Sequence, residues 1–242
     1  MRVILCDTYE EISKNAAKLV ASQIYLKPNS VLGLATGSTP IGLYEELVRL
    51  YRAGEISFQE AITFNLDEYY PISPENPQSY HYFMNEHLFD KVNICPENIH
   101  ILNGETEHPD EECRRFDAQI EECGGIDLQI LGIGRNGHIG FNEPDDALNT
   151  STHITDLTQS TIEANARFFD SVKSVPTQAL TMGIATILKS KKIILLANGK
   201  EKHEAVSQLL TEEIDTESPA TMLKIHPDVV LICDRDALGD PV

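Results

Sequence analysis

The segment Val31-Leu32-Gly33-Leu34-Ala35 carries no polar side chain, and several others in this chain resemble it. Residues 3–6, 61–66, 99–102, 127–131, 192–197 and 229–233 are short and mostly apolar. They lack the in–out alternation of a strand with one wet face. Strands buried on both faces belong to mostly parallel sheets covered by helices. Helix signals fill the intervals. Thr8 and Glu11 have capping-box spacing, and Ile12, Ala16, Leu19, Val20 and Ile24 then recur at helical period. Pro40 suits a first helical position with Thr39 as cap, ahead of Tyr44, Leu47, Val48 and Tyr51. Helices are also expected near residues 80–89, 113–122 (acidic and solvated) and 201–210, the last with Ala205, Leu209 and Leu210 inward. The alternation predicts an α/β fold: a three-layer, Rossmann-like open sandwich around a mostly parallel central sheet. No repeat or linker divides the 242 residues, so one catalytic domain over residues 1–242 is expected.

In such folds ligands bind beyond the carboxyl ends of the strands. After residues 31–35 comes Thr36-Gly37-Ser38-Thr39-Pro40 and a helix. Main-chain N–H groups there can converge on a phosphate, helped by the helix N-terminus; the same residues also make a plain capped turn. No Gly-Lys-Ser/Thr follows, and Ser38 is in no G-x-S-x-G elbow. Residues 61–66 run into Asp67 and Glu68. Asp67 is either a general base aimed at the cleft or a solvated loop acid. Glu68 is either a second such group or a hydrogen-bonding partner. After residues 127–131, Gly132, Gly134 and Gly137 satisfy G-x-G-x-x-G, but Gly140, Asn142 and Pro144 forbid the helix that dinucleotide binding needs. The better reading is an irregular loop presenting His138 and Glu143, an acid–base pair for neutral pH or a satisfied loop histidine. Arg167 and Lys202 can reach a phosphate, though each alone reads as a surface charge.

Composition narrows the partners. The net charge is −19 and no block of five or six Lys or Arg occurs, so neither nucleic acid nor an anionic membrane is an expected partner. No apolar run approaches the roughly 18–20 residues of a membrane span. The N-terminus reads as a strand and not as a signal peptide. Five scattered cysteines without a C-x-x-C pair suit reduced thiols in a cytoplasmic protein. No His/Cys cluster has metal-ligand spacing.

Taken together, Leu34-Ala35-Thr36-Gly37-Ser38-Thr39-Pro40, Phe64-Asn65-Leu66-Asp67-Glu68-Tyr69, Gly137-His138-Ile139-Gly140-Phe141-Asn142-Glu143-Pro144, Ala164-Asn165-Ala166-Arg167-Phe168-Phe169 and the late Pro219-Ala220 and His226-Pro227-Asp228 resemble the glucosamine-6-phosphate deaminase family. The resemblance runs along nearly the whole chain and is strongest to the shorter, bacillus-like members. It implies conversion of glucosamine 6-phosphate and water into fructose 6-phosphate and ammonia, in amino-sugar catabolism. It implies roles too. Asp67 is the proton acceptor at C2. His138 is the ring-opening acid–base, with Glu143 and Asn136 as its supports. Thr36, Gly37, Ser38, Thr39, Arg167 and Lys202 hold the phosphate. A lid is implied at about residues 150–182, and no cofactor or metal.

Two departures from the longer members matter. They carry Asp where this chain has Asn136; an Asn there is expected to orient the imidazole without adding charge. They also bind an allosteric sugar phosphate through basic residues and have a longer tail. Residues 149–157 here hold no Lys or Arg, and the chain ends at Val242. Weak or absent allostery, and a monomer over a hexamer, are therefore expected. The alternatives are another sugar-phosphate enzyme on this scaffold, a 6-phosphogluconolactonase or pentose-phosphate isomerase, and a non-catalytic sugar-phosphate sensor.

Overall fold

The computed structural model describes residues 1–165 and 174–239. In chain order its strands are β1 (Arg2–Cys6), β2 (Val31–Leu34), β3 (Ile62–Asn65), β4 (Asp67–Tyr70), β5 (Ile99–His100), β6 (Leu128–Gly132), β7 (His153–Asp156), β8 (Gln178–Thr181), β9 (Ile193–Ala197) and β10 (Val229–Asp234). Its helices are α1 (Tyr9–Leu26), α2 (Ile41–Arg52), α3 (Tyr80–His87), α4 (Pro109–Glu122), α5 (Gln159–Asn165), α6 (Ile184–Leu188), α7 (His203–Leu209) and α8 (Arg235–Leu238). The main sheet has seven strands in the order β1-β10-β9-β6-β2-β3-β5. Every pairing in it is parallel. All residues of β2 and β9 are buried, so the sheet is covered on both faces, as their apolar sequences require.

From β2 the chain winds outward through β3 to β5, then returns to β6 on the other side of β2 and winds the opposite way. That reversal opens a crevice at the carboxyl ends of β2 and β6. The turn at residues 36–40 and the loop at residues 132–144 both empty into it.

A second sheet departs from the sequence reading. The strand at residues 61–66 was expected to end at Asp67-Glu68, yet Asp67 begins a second strand, β4. Leu66 alone makes the change. Its N–H donates to the Leu34 carbonyl of the large sheet (2.8 Å) and its carbonyl accepts the Met182 N–H (2.9 Å). From there β4 pairs antiparallel with β8, and β8 with β7. Residues 150–182, expected as a lid, supply β7, α5 and β8, while residues 166–173 lie outside the described part. Smaller differences have local causes. Thr8 caps α1 through the Glu11 N–H, but Glu11 reaches back to Asp7 instead of Thr8. The solvated helix expected at 113–122 begins at Pro109 and buries Glu112, Cys113, Phe116 and Ile120. Leu210, expected inward, lies just past the end of α7 and is exposed.

Candidate active site

A cavity of about 950 Å³ fills the crevice, lined by residues 35–39, 132–136, Asp67, Tyr80, His138, Thr161, Lys202 and others. The turn after β2 is held from two sides. The Tyr9 hydroxyl, on the first turn of α1, lies 3.1 and 3.0 Å from the Ser38 and Thr39 carbonyls and accepts the Gly42 N–H at 2.9 Å. From below, the buried Tyr44 hydroxyl donates to the Ala35 carbonyl at 2.5 Å. Gly37 adopts φ +94°, a region that side chains with a Cβ rarely enter. Thr39 does not cap α2 as expected. Its hydroxyl donates to Asn198 on the loop after β9 (3.1 Å), which ties two strand ends together, and Pro40 takes the capping position. The turn thus faces the cavity fixed in shape, as an anion cradle must be.

Asp67 is buried where β4 starts, and its Oδ1 has no hydrogen-bond partner among the described residues. Burial, and secondarily the neighbouring Glu68 carboxylate, push its pKa well above the ordinary carboxylate range. Once ionised, a buried carboxyl of this kind is a stronger base than a solvated one. Glu68, next on the strand, points the other way. It accepts the N–H groups of Tyr69 (2.9 Å), Tyr80 (2.8 Å) and His81 (2.9 Å), and so anchors the start of α3. Burial still lifts its pKa to about 7 against those three bonds. The helix it holds carries Tyr80, half-buried, whose phenol faces Tyr69, Asp67 and Thr36 and whose ring stacks parallel to Phe141 at 6.1 Å.

The loop after β6 brings the remaining groups. Gly134 has no Cβ because the His138 ring lies against it; a Cβ would sit 2.3 Å from the ring. His138 Nδ1 is 3.3 Å from Glu143 Oε2, at ion-pair distance without a well-aligned hydrogen bond. Asn136 differs from expectation. Its amide donates to Glu143 Oε2 at 2.7 Å and its oxygen accepts the His138 main-chain N–H at 3.3 Å, so it orients the carboxylate and the loop, not the imidazole. The Thr161 hydroxyl, from α5, donates to Glu143 Oε1. Burial would raise the Glu143 pKa, but the close His138 imidazole, with the Thr161 and Asn136 bonds, holds it down at about 2. Glu143 is therefore a carboxylate across the physiological range, beside an imidazole at the cavity wall.

The structure thus collects Thr36, Gly37, Ser38, Thr39, Asp67, Asn136, His138 and Lys202 around one cavity, with Glu143 directly behind His138. Arg167 lies outside the described residues. Tyr9, Tyr80, Thr161 and Asn198 were not singled out from sequence. Among the described residues no group of three or more His, Cys, Asp or Glu could hold a metal ion.

Residues 7–231 match the family described as glucosamine-6-phosphate isomerases/6-phosphogluconolactonase. A glucosamine-6-phosphate deaminase of Thermoanaerobacter pseudethanolicus is 56% identical over 237 residues, 98% of this chain and 94% of its own. That of Halothermothrix orenii is also 56% identical, with 98% of each chain covered. Among solved structures, a monomeric glucosamine-6-phosphate deaminase superposes with a TM-score of 0.96 at 48% identity, covering 98% of both chains.

Proposed function

Since the chain belongs to the glucosamine-6-phosphate isomerase and 6-phosphogluconolactonase family, we propose that it converts glucosamine 6-phosphate and water into fructose 6-phosphate and ammonia. The observation that carries this is the convergence of Asp67 and the His138–Glu143 pair on one cavity beneath the turn at residues 36–39. The phosphate lies on that turn and on Lys202, with Arg167 as a further cation. His138, held as an acid–base by Glu143, moves a proton between O1 and O5 as the ring opens to the aldehyde. The C1 carbonyl acidifies the C2 proton. Asp67 takes that proton while a proton of the substrate ammonium passes to O1, giving an enolamine; Asp67 then returns its proton at C1, and the resulting C2=N iminium is hydrolysed by water to the ketone and ammonium. A raised pKa makes the Asp67 carboxylate a stronger base than a solvated one, which favours the abstracting half of this transfer.

Residues 150–182 serve as a lid on a single catalytic domain. No helix among the described residues is long and apolar enough to cross a membrane. The protein acts as a cytoplasmic monomer, in keeping with the monomeric solved relative, and binds no nucleic acid, in keeping with the −19 net charge. Purified protein offered glucosamine 6-phosphate and 6-phosphogluconolactone in parallel is expected to turn over the amino sugar and leave the lactone at its uncatalysed rate. Turnover of the lactone alone would overturn the reading.

A further inference from the structure

Glu143 is gripped from two directions. Its Oε2 takes the Asn136 amide and faces the His138 ring, both from the loop after β6. Its Oε1 takes the hydroxyl of Thr161, which lies 18 residues further on, in the first turn of α5. Thr161 is buried, and its hydroxyl is aimed by a directed chain. The Thr158 hydroxyl lies 3.1 Å from Thr161 Oγ1 and donates to it, while Thr158 Oγ1 accepts the Thr161 N–H at 3.3 Å. With that oxygen already accepting, the Thr161 proton is directed at the carboxylate.

We propose that Thr161 is a positioning residue for the reaction: its hydroxyl fixes the Glu143 carboxylate, and through Glu143 the His138 imidazole, in the geometry that ring opening requires. A glutamate side chain has three torsions, and a bond on one oxygen alone leaves the carboxylate free to swing. The Asn136 and Thr161 bonds pin both oxygens, and a carboxylate so pinned holds the imidazole where proton transfer needs it. The segment that lies over the cavity thereby completes the acid–base pair. The inference rests on the deaminase reading.

Steady-state kinetics on glucosamine 6-phosphate test it, with wild type, Thr161→Val, Thr161→Ser, Glu143→Ala and the Thr161→Val/Glu143→Ala double variant. Thr161→Val keeps the shape and loses the donor. It is expected to lower kcat about tenfold with KM within about twofold. Thr161→Ser should restore most of kcat. In the Glu143→Ala background, where no carboxylate remains to be placed, the Val substitution should change kcat less than about twofold. A wild-type kcat in Thr161→Val, a loss confined to KM, or a tenfold loss that persists without Glu143 would each overturn the proposal. Thr161→Ala, checked by its thermal melt, replaces the Val variant if branching disturbs the start of α5. A wild type that turns over no glucosamine 6-phosphate refutes the deaminase reading itself, which separates the two failures.

Discussion

Asn136 spends its side chain on Glu143 and on the loop backbone, and that makes one substitution informative. Asn136→Asp would set a second carboxylate 2.7 Å from Glu143 Oε2. Two carboxylates at that distance keep one proton between them to a higher pH than Glu143 alone, whose pKa is about 2. The acid limb of the kcat profile should therefore move to higher pH than in wild type. A limb that stays in place would mean that Asn136 does not bear on the carboxylate. Asp67, His138 and Glu143 were legible in the sequence because acid–base chemistry uses few residue types and strand ends say where they point. Thr161, Tyr9 and Asn198 were not. Hydroxyls and amides occur everywhere, and these three act across 18, 29 and 159 residues of chain. Sequence spacing carries no signal for such contacts.

At the scale of elements, α3 depends on one buried carboxylate. Glu68 collects the N–H groups of Tyr69, Tyr80 and His81, and the same helix sets Tyr80 over Asp67. Its pKa is lifted from the ordinary 4.5 to about 7, burial outweighing the three bonds. A carboxyl raised on folding holds its proton more tightly in the native state. Its contribution to stability is full below about pH 4.5 and is lost as pH rises through about 7. Glu68→Gln removes the titration and keeps an acceptor for part of the helix start. Thermal melts between pH 5 and 8 should show the variant gaining on wild type as pH rises. Parallel curves would contradict this. The parallel strands of the large sheet were legible because burial on both faces writes an apolar run. The small sheet was not. Asp67-Glu68-Tyr69-Tyr70 and His153-Ile154-Thr155-Asp156 are short and polar, and only their pairing with β8 makes them strands.

For the whole molecule, the winding order around β2 puts the anion turn and the His138 loop side by side, and the change of sheet at Leu66 adds Asp67 to them. A chain of net charge −19 repels anions in general, so its phosphate ligand must be held by placed donors: a turn pinned by Tyr9 and Tyr44, and a few cations. The reading of this cavity as a deaminase site stands or falls on product stoichiometry. Ammonia and fructose 6-phosphate should be measured together from glucosamine 6-phosphate, with EDTA present, for wild type and Asp67→Asn. The account predicts equal amounts of both products from wild type, and a loss of at least about 100-fold in the variant with its fold and phosphate binding intact. Fructose 6-phosphate without ammonia, or an Asp67→Asn variant as active as wild type, would contradict it.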